Sequence, residues 1–151
     1  MTSEQVCFSS SKYNQLKITI MNYFLKNLKW LINAFALKPE LLHTLLPPNS
    51  YIPNEMTDQY EMIVDEDLSN IMPVLTAEQL EQFKPLHNYI NSLFVREDLI
   101  DSWYDNDFIY SPEWNGIHTM AKEFEKYMGW ETSEPLPPLY SEIIYVDTDD
   151  E

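Results

Sequence analysis

Imidazole is the side chain most often used for acid–base or metal chemistry at neutral pH, and this chain has three: His43, His87 and His118. Glu40 and His43 make one Glu-x-x-His, a spacing that sets a carboxylate and an imidazole on the same helical face. A di-iron bundle needs two such pairs and two further glutamates. Lys84 stands three residues before His87 and Asn115 three before His118, so neither supplies the second pair. His43 therefore reads as a structural, partly exposed histidine, and no metal site is expected.

Asp101, Asp105, Asp107 and Glu113 raise the question of calcium. An EF-hand loop alternates oxygen ligands and needs glycine at its sixth position and glutamate at its twelfth. Counted from Asp105, those positions hold Tyr110 and Gly116. Asp65-Glu66-Asp67 fails in the same way and reads as a solvated run flanking a helix. The two glycines, Gly116 and Gly129, are isolated, which excludes a glycine-rich phosphate loop. No serine has a nucleophile-elbow context, and Cys7 has no histidine beside it. A small helical nuclease of the Arg-x4-6-His type would need a histidine soon after the sole arginine, Arg96, and none follows. An enzyme would require scattered acids to converge in space, so neither catalysis nor a cofactor is expected.

What remains suits binding. Residues 97–114 interleave Glu97, Asp98, Asp101, Asp105, Asp107 and Glu113 with Trp103, Tyr104, Phe108, Tyr110 and Trp114. Carboxylates give long-range attraction and orientation, while aromatic rings give anchor area at low entropic cost. Trp103, Phe108 and Trp114 are each better read as core, and Tyr104 and Tyr110 as exposed anchors. The expected partner-binding set is Glu97, Asp98, Asp101, Tyr104, Asp105, Asp107 and Tyr110.

Charge supports a basic partner. Residues 1–39 carry five lysines against Glu4, a balance of +4, whereas residues 40–151 carry four cations against 24 acids, a balance of −20; together these give the net charge of −16. Such a surface repels nucleic acid and anionic membranes and attracts basic proteins, although solubility alone would also account for it. Lys26, Lys29 and Asn33 interrupt the most apolar stretch, which excludes a membrane span and argues against a secretory signal starting at Met21. The lone cysteine rules out an internal disulfide and fits a reducing, cytoplasmic setting.

These residues must be positioned by helices. Hydrophobic residues make up 44% of the chain and aromatics 14%, enough for a core, and two glycines against ten prolines leave little material for hairpins. The longest apolar segment, Tyr13 to Leu37, places Leu16, Ile20, Phe24, Leu28, Leu31 and Phe35 on one stripe, widened by Met21, Leu25 and Ile32. That breadth predicts a central helix packed on two sides. Short helices are expected at Pro39–Leu46, with Leu41, Leu42, Leu45 and Leu46 inward, and at Asp98–Tyr104. A loop through Pro47, Pro48 and Pro53 should precede Met56–Met72, where Tyr60, Met62 and Val64 alternate like a strand while Tyr60, Ile63, Val64, Leu68 and Ile71 fit a helix; the scarcity of strands to pair with favours the helix. A Thr76/Gln79 capping box should open a helix to about Phe94 that Pro85 kinks or divides. Ser111-Pro112-Glu113 is the clearest helix start, and Gly129 the matching stop. The expected whole is an all-α domain of about six helices over residues 1–146, with Ser141–Val146 a possible edge strand and Asp147–Glu151 an acidic tail.

The stretch from Tyr110 to Phe124, with its Ser111-Pro112-Glu113-Trp114 start and Ile117, Ala121 and Phe124 on one face, runs into Met128-Gly129-Trp130. It resembles the C-terminal helix of small acidic immunity proteins that accompany bacterial contact-dependent or polymorphic toxins. The resemblance implies a cytoplasmic, non-enzymatic protein that covers the active cleft of one cognate toxin domain, often a basic nuclease. It assigns no binding residues. Three alternatives are a nucleic-acid mimic that blocks a DNA-binding host protein, a metal-dependent helical enzyme, and an interfacial membrane role for the lysine-bearing first helix. The breadth of that helix's apolar surface argues for burial in the core instead.

Overall fold

Four α-helices carry the architecture of the computed structural model, which describes residues 3–139: α1 (Ser3–Phe35), α2 (Ile52–Ile63), α3 (Ala77–Phe94) and α4 (Pro112–Met128). Shorter 3₁₀ turns lie at Pro39–Thr44, Glu97–Leu99, Asp101–Tyr104 and Asn106–Tyr110. The all-α bundle expected from the sequence is the one that forms, and no strand occurs among the described residues. The edge strand at Ser141–Val146, the tail at Asp147–Glu151 and the side chains of Val6, Cys7 and Phe8 lie outside the described part.

α1 packs on α4 and α2, and α4 also packs on α3. Leu28, Leu31, Ile32 and Phe35 are completely buried there, as a central helix requires. The same stripe is not buried along its whole length. Leu16 is 61% exposed and Ile20 47% exposed, against the expectation that both face the core. Helix periodicity continues beyond the point where neighbouring helices can cover it, so periodicity alone overstated the burial.

Local signals placed most helix ends. Thr76 Oγ1 accepts from the Gln79 amide at 3.0 Å while Gln79 Oε1 accepts from the Thr76 amide at 2.9 Å, closing the capping box. Ser111 caps α4 through the Trp114 amide, and Gly129 ends it in the left-handed region at φ 71°. Pro85 does not divide α3, because it lies on the exposed face where water can take the carbonyl bond that proline leaves unmade.

Three segments differ from expectation. α2 begins at Ile52 with Pro53 in its first turn, so that proline starts the helix instead of prolonging the loop. It stops at Ile63, and the rest of the expected 56–72 helix becomes turns that still bury Leu68 and Ile71. Asp98–Tyr104 forms two 3₁₀ turns in place of one helix, and of the expected Pro39–Leu46 helix Pro39–Thr44 is likewise 3₁₀, with Leu41 turned outward.

A continuous run of rings joins the bundle's centre to its edge. Phe35 packs on Trp114 at 5.7 Å between centroids, Trp114 on Phe108 at 6.2 Å, Phe108 on Trp103 at 5.0 Å, and Trp103 on Phe94 at 5.5 Å. α3 and α4 meet where Gly116 accommodates the Tyr89 ring, whose hydroxyl donates to the Glu113 carbonyl at 2.9 Å. A Cβ on Gly116 would collide with that ring. Gly116→Ala is therefore expected to lower stability in the native background. In a Tyr89→Ala background it should raise stability by about 1 kcal/mol through helix propensity. Urea denaturation of the four variants measures the reversal of sign.

Candidate acidic docking surface

The aromatic and acidic residues of 97–114 separate as the sequence suggested. Trp114 and Phe108 are buried, Trp103 is half-buried, and Tyr104 and Tyr110 are 56% and 59% exposed. Glu97, Asp98, Asp101, Asp105 and Asp107 are all exposed. The structure nevertheless splits this set. Tyr104 packs edge-on against Tyr51 at 5.7 Å on the α2 side, whereas Tyr110 lines a different depression with Pro39, Asn115 and His118.

Two of the acids are tied up locally. Asp98 accepts from Arg96 Nε at 3.1 Å and from Arg96 Nη2 at 2.7 Å, and that guanidinium also reaches Glu113 at 3.4 Å. The hydrogen bond from Arg96 holds the Asp98 carboxyl below the usual carboxylate range. Asp105 accepts from the Asp107 amide at 2.9 Å and so caps the Asn106–Tyr110 turn. Glu97, Asp101 and Asp107 are the exposed acids of the expected set whose carboxylates take no part in these local bonds.

Asn106, between those acids, does a different job. Its Oδ1 accepts from the Ile52 amide at 2.7 Å and its Nδ2 donates to the Ser50 carbonyl at 3.0 Å. The bond satisfies one of the free amides at the start of α2 that the residue before it, Tyr51, cannot cap. Asn106 thereby fixes the 97–110 region against α2.

The Asp101–Tyr104 and Asn106–Tyr110 turns packed on α2 leave a groove that local composition did not show. Asn54, Thr57, Asp58 and Glu61 of α2 form one wall, and Phe94, Ile100, Trp103 and Tyr104 form the other, around about 300 Å³. A second depression of about 400 Å³ shares Glu61 and Phe94 and adds Asp65, Glu66, Asn91 and Val95. Ile100 is 60% exposed and Val95 79% exposed, so the groove has an apolar rim as well as carboxylates. Asp58, Glu61 and Glu66 were missed because they lie some 40 residues from the acid–aromatic stretch; the one available signal was the Asp58/Glu61 pair, spaced to share a face of a helix.

The groove acids differ electrostatically. Burial raises the Asp58 carboxyl, helped by Glu55, and burial raises Glu61, helped by Asp58. Burial acts on Asp65 in the same direction, but hydrogen bonds from Ser69 and Asn70 outweigh it and bring that carboxyl down to about 2. Among the described residues no ion pair reaches Asp58 or Glu61.

The histidines act as structural pins. Tyr60 Oη lies 2.6 Å from His87 Nδ1, the Glu66 carbonyl accepts from Nε2 at 2.9 Å, and Asn91 Nδ2 lies 3.1 Å from that same nitrogen. His118 Nδ1 donates to the Phe35 carbonyl at 3.1 Å, tying α4 to the end of α1. His43 is exposed, and no group of three His, Cys, Asp or Glu among the described residues is arranged to hold a metal ion.

Protein-family models, curated proteins and solved structures yield no match to this chain. The groove's own chemistry is what bears on function.

That chemistry has a pH signature. Because Asp58 and Glu61 hold their protons more tightly folded than unfolded, their ionisation lowers stability as pH rises through the folded values. The loss is absent below the unfolded values near ~4. Asp58→Asn with Glu61→Gln is expected to raise Tm at neutral pH, with the gain shrinking towards pH ~4, as followed by thermal unfolding across pH. Asp65→Asn should act oppositely, lowering Tm at neutral pH, since a depressed carboxyl contributes stability above its unfolded value.

Proposed function

We propose that the chain is a binding protein of the immunity type, which neutralises a basic toxin domain, such as a nuclease, by covering its active cleft. The supporting observation is the union of exposed carboxylates with exposed apolar anchors around one groove: Asp58 and Glu61 with Ile100 and Tyr104. Carboxylates speed encounter with a basic surface, and the rings and aliphatic side chains then supply contact area. The imbalance of 24 acids against four cations over residues 40–151 gives that attraction its range. The resemblance of residues 110–130 to immunity proteins agrees with this reading. Cytoplasmic action belongs to the same proposal; no helix among the described residues is long and apolar enough to cross a membrane.

A nucleic-acid mimic is the competing reading. It would need carboxylates at phosphate-like spacing and would gain little from Ile100, Trp103 and Tyr104, so the mixed character of the groove favours a single protein partner.

Affinity purification at low and moderate salt, with mass spectrometry, tests the proposal. One basic protein recovered in near-equal amount at both salts is the expected result, whereas many DNA-binding proteins lost with salt would point to mimicry. Asp101→Lys with Asp105→Lys and Asp107→Lys should slow association with that protein about tenfold at low salt, measured by surface plasmon resonance. Unchanged association would move the contact off this stretch.

A further inference from the structure

The groove between α2 and the Asp101–Tyr104 turn has a shape and charge order that specify its occupant more closely. Asp58 and Glu61 lie three residues apart on α2, a rise of about 4.5 Å along the helix axis. Asp65 and Glu66 extend the acidic edge past the helix end into the adjoining depression. Facing them, Phe94, Ile100 and Trp103 make an apolar strip, and Tyr104 lines the groove with them. Phe94 and Trp103 are held by their mutual contact and by the contact of Trp103 with Phe108, so the strip is preformed. An extended strand places same-face side chains about 6.7 Å apart, whereas residues i and i+3 of a helix are about 4.5 Å apart along its axis.

We propose that this groove docks a basic helix of the partner, lying along α2. Two lysine or arginine side chains one turn apart meet Asp58 and Glu61, and an apolar residue between them rests on Phe94, Ile100 and Trp103. This rests on the reading of the surface as a docking face for a basic protein. It assigns the principal contact to α2 and the groove, with Asp101, Asp105 and Asp107 acting in attraction at longer range. Recognition by a helix in an apolar groove uses residues spaced by three and four positions, the pattern this wall offers.

The test uses the full chain and two blocked, alanine-rich helical peptides of equal composition. One carries two lysines at i and i+3 with leucine beside them; the other carries the lysines on opposite faces. Expected results are shifts in the NMR signals of the Ile100 methyls, the Trp103 indole and the Phe94 ring, at least fivefold tighter binding of the ordered peptide, and at least tenfold weakening in Asp58→Lys with Glu61→Lys. The neutral pair Asp58→Asn with Glu61→Gln, which is expected to fold at least as well as the native chain, should also lose affinity, so the loss is not one of folding. Equal binding of the two peptides, shifts centred on Tyr110 or on Asp105 and Asp107, or undiminished binding by the neutral pair would overturn the groove assignment. A captured basic protein whose binding survives both groove variants but falls with reversal at Asp101, Asp105 and Asp107 would sink the groove and leave the broader function standing. Groove-specific peptide binding with no basic protein captured would do the reverse.

Discussion

Trp114 packed against Phe35 is the contact on which the remainder of the molecule depends. It joins α1 to α4, elements nearly eighty residues apart, and so closes the bundle around everything between them. Both rings are almost wholly buried, and an aromatic side chain removes on the order of 150–250 Å² from water. Phe35 also meets Tyr60 of α2 at 6.3 Å, and Tyr60 holds His87 of α3, so one cluster sets the position of all four helices. The His118 bond to the Phe35 carbonyl locks the same junction from the polar side.

From that junction the order of the core passes outward. Trp114 supports Phe108, Phe108 supports Trp103, and Trp103 supports Phe94, so the apolar strip of the groove is an extension of the interior. A binding surface built this way loses little side-chain freedom on contact, which is the usual reason preformed anchors are effective. The acids on the opposite wall carry a cost in the free protein. Asp58 and Glu61 repel one another in partly desolvated positions, a disadvantage that a cationic partner would remove.

Features encoded within a few residues were legible in the sequence. The Thr76/Gln79 box, the Ser111 cap and the Gly129 stop each depend on bonds spanning at most five positions, and each formed as read. The separation of Tyr104 and Tyr110 from Trp114 and Phe108 by exposure was legible for a similar reason, since indole and phenyl rings bury more readily than phenol. What depends on long-range closure was not legible. Asn106 bonds Ile52 across 54 positions and His118 bonds Phe35 across 83, and neither partner carries a local mark of the other. The groove lies between segments some 40 residues apart, so Asp58 and Glu61 could be seen as acids on a helix but not as one wall of a site. The exposure of Leu16 and Ile20 has a related origin: periodicity reports which face is apolar, not how far a neighbouring helix extends.

α1 is one helix in its geometry and two in its energetics. Around Leu28 to Phe35 its hydrogen bonds lie inside the core, and their amides can exchange with solvent only when the bundle itself opens. From Lys12 to Ile20 every side chain is exposed, so those turns depend on their own propensity, which is marginal for an isolated helix in water. Amide protection along α1 is therefore expected to fall from the global level to that of a fraying peptide, with the cooperative unit of folding beginning where burial sets in, between Ile20 and Asn27.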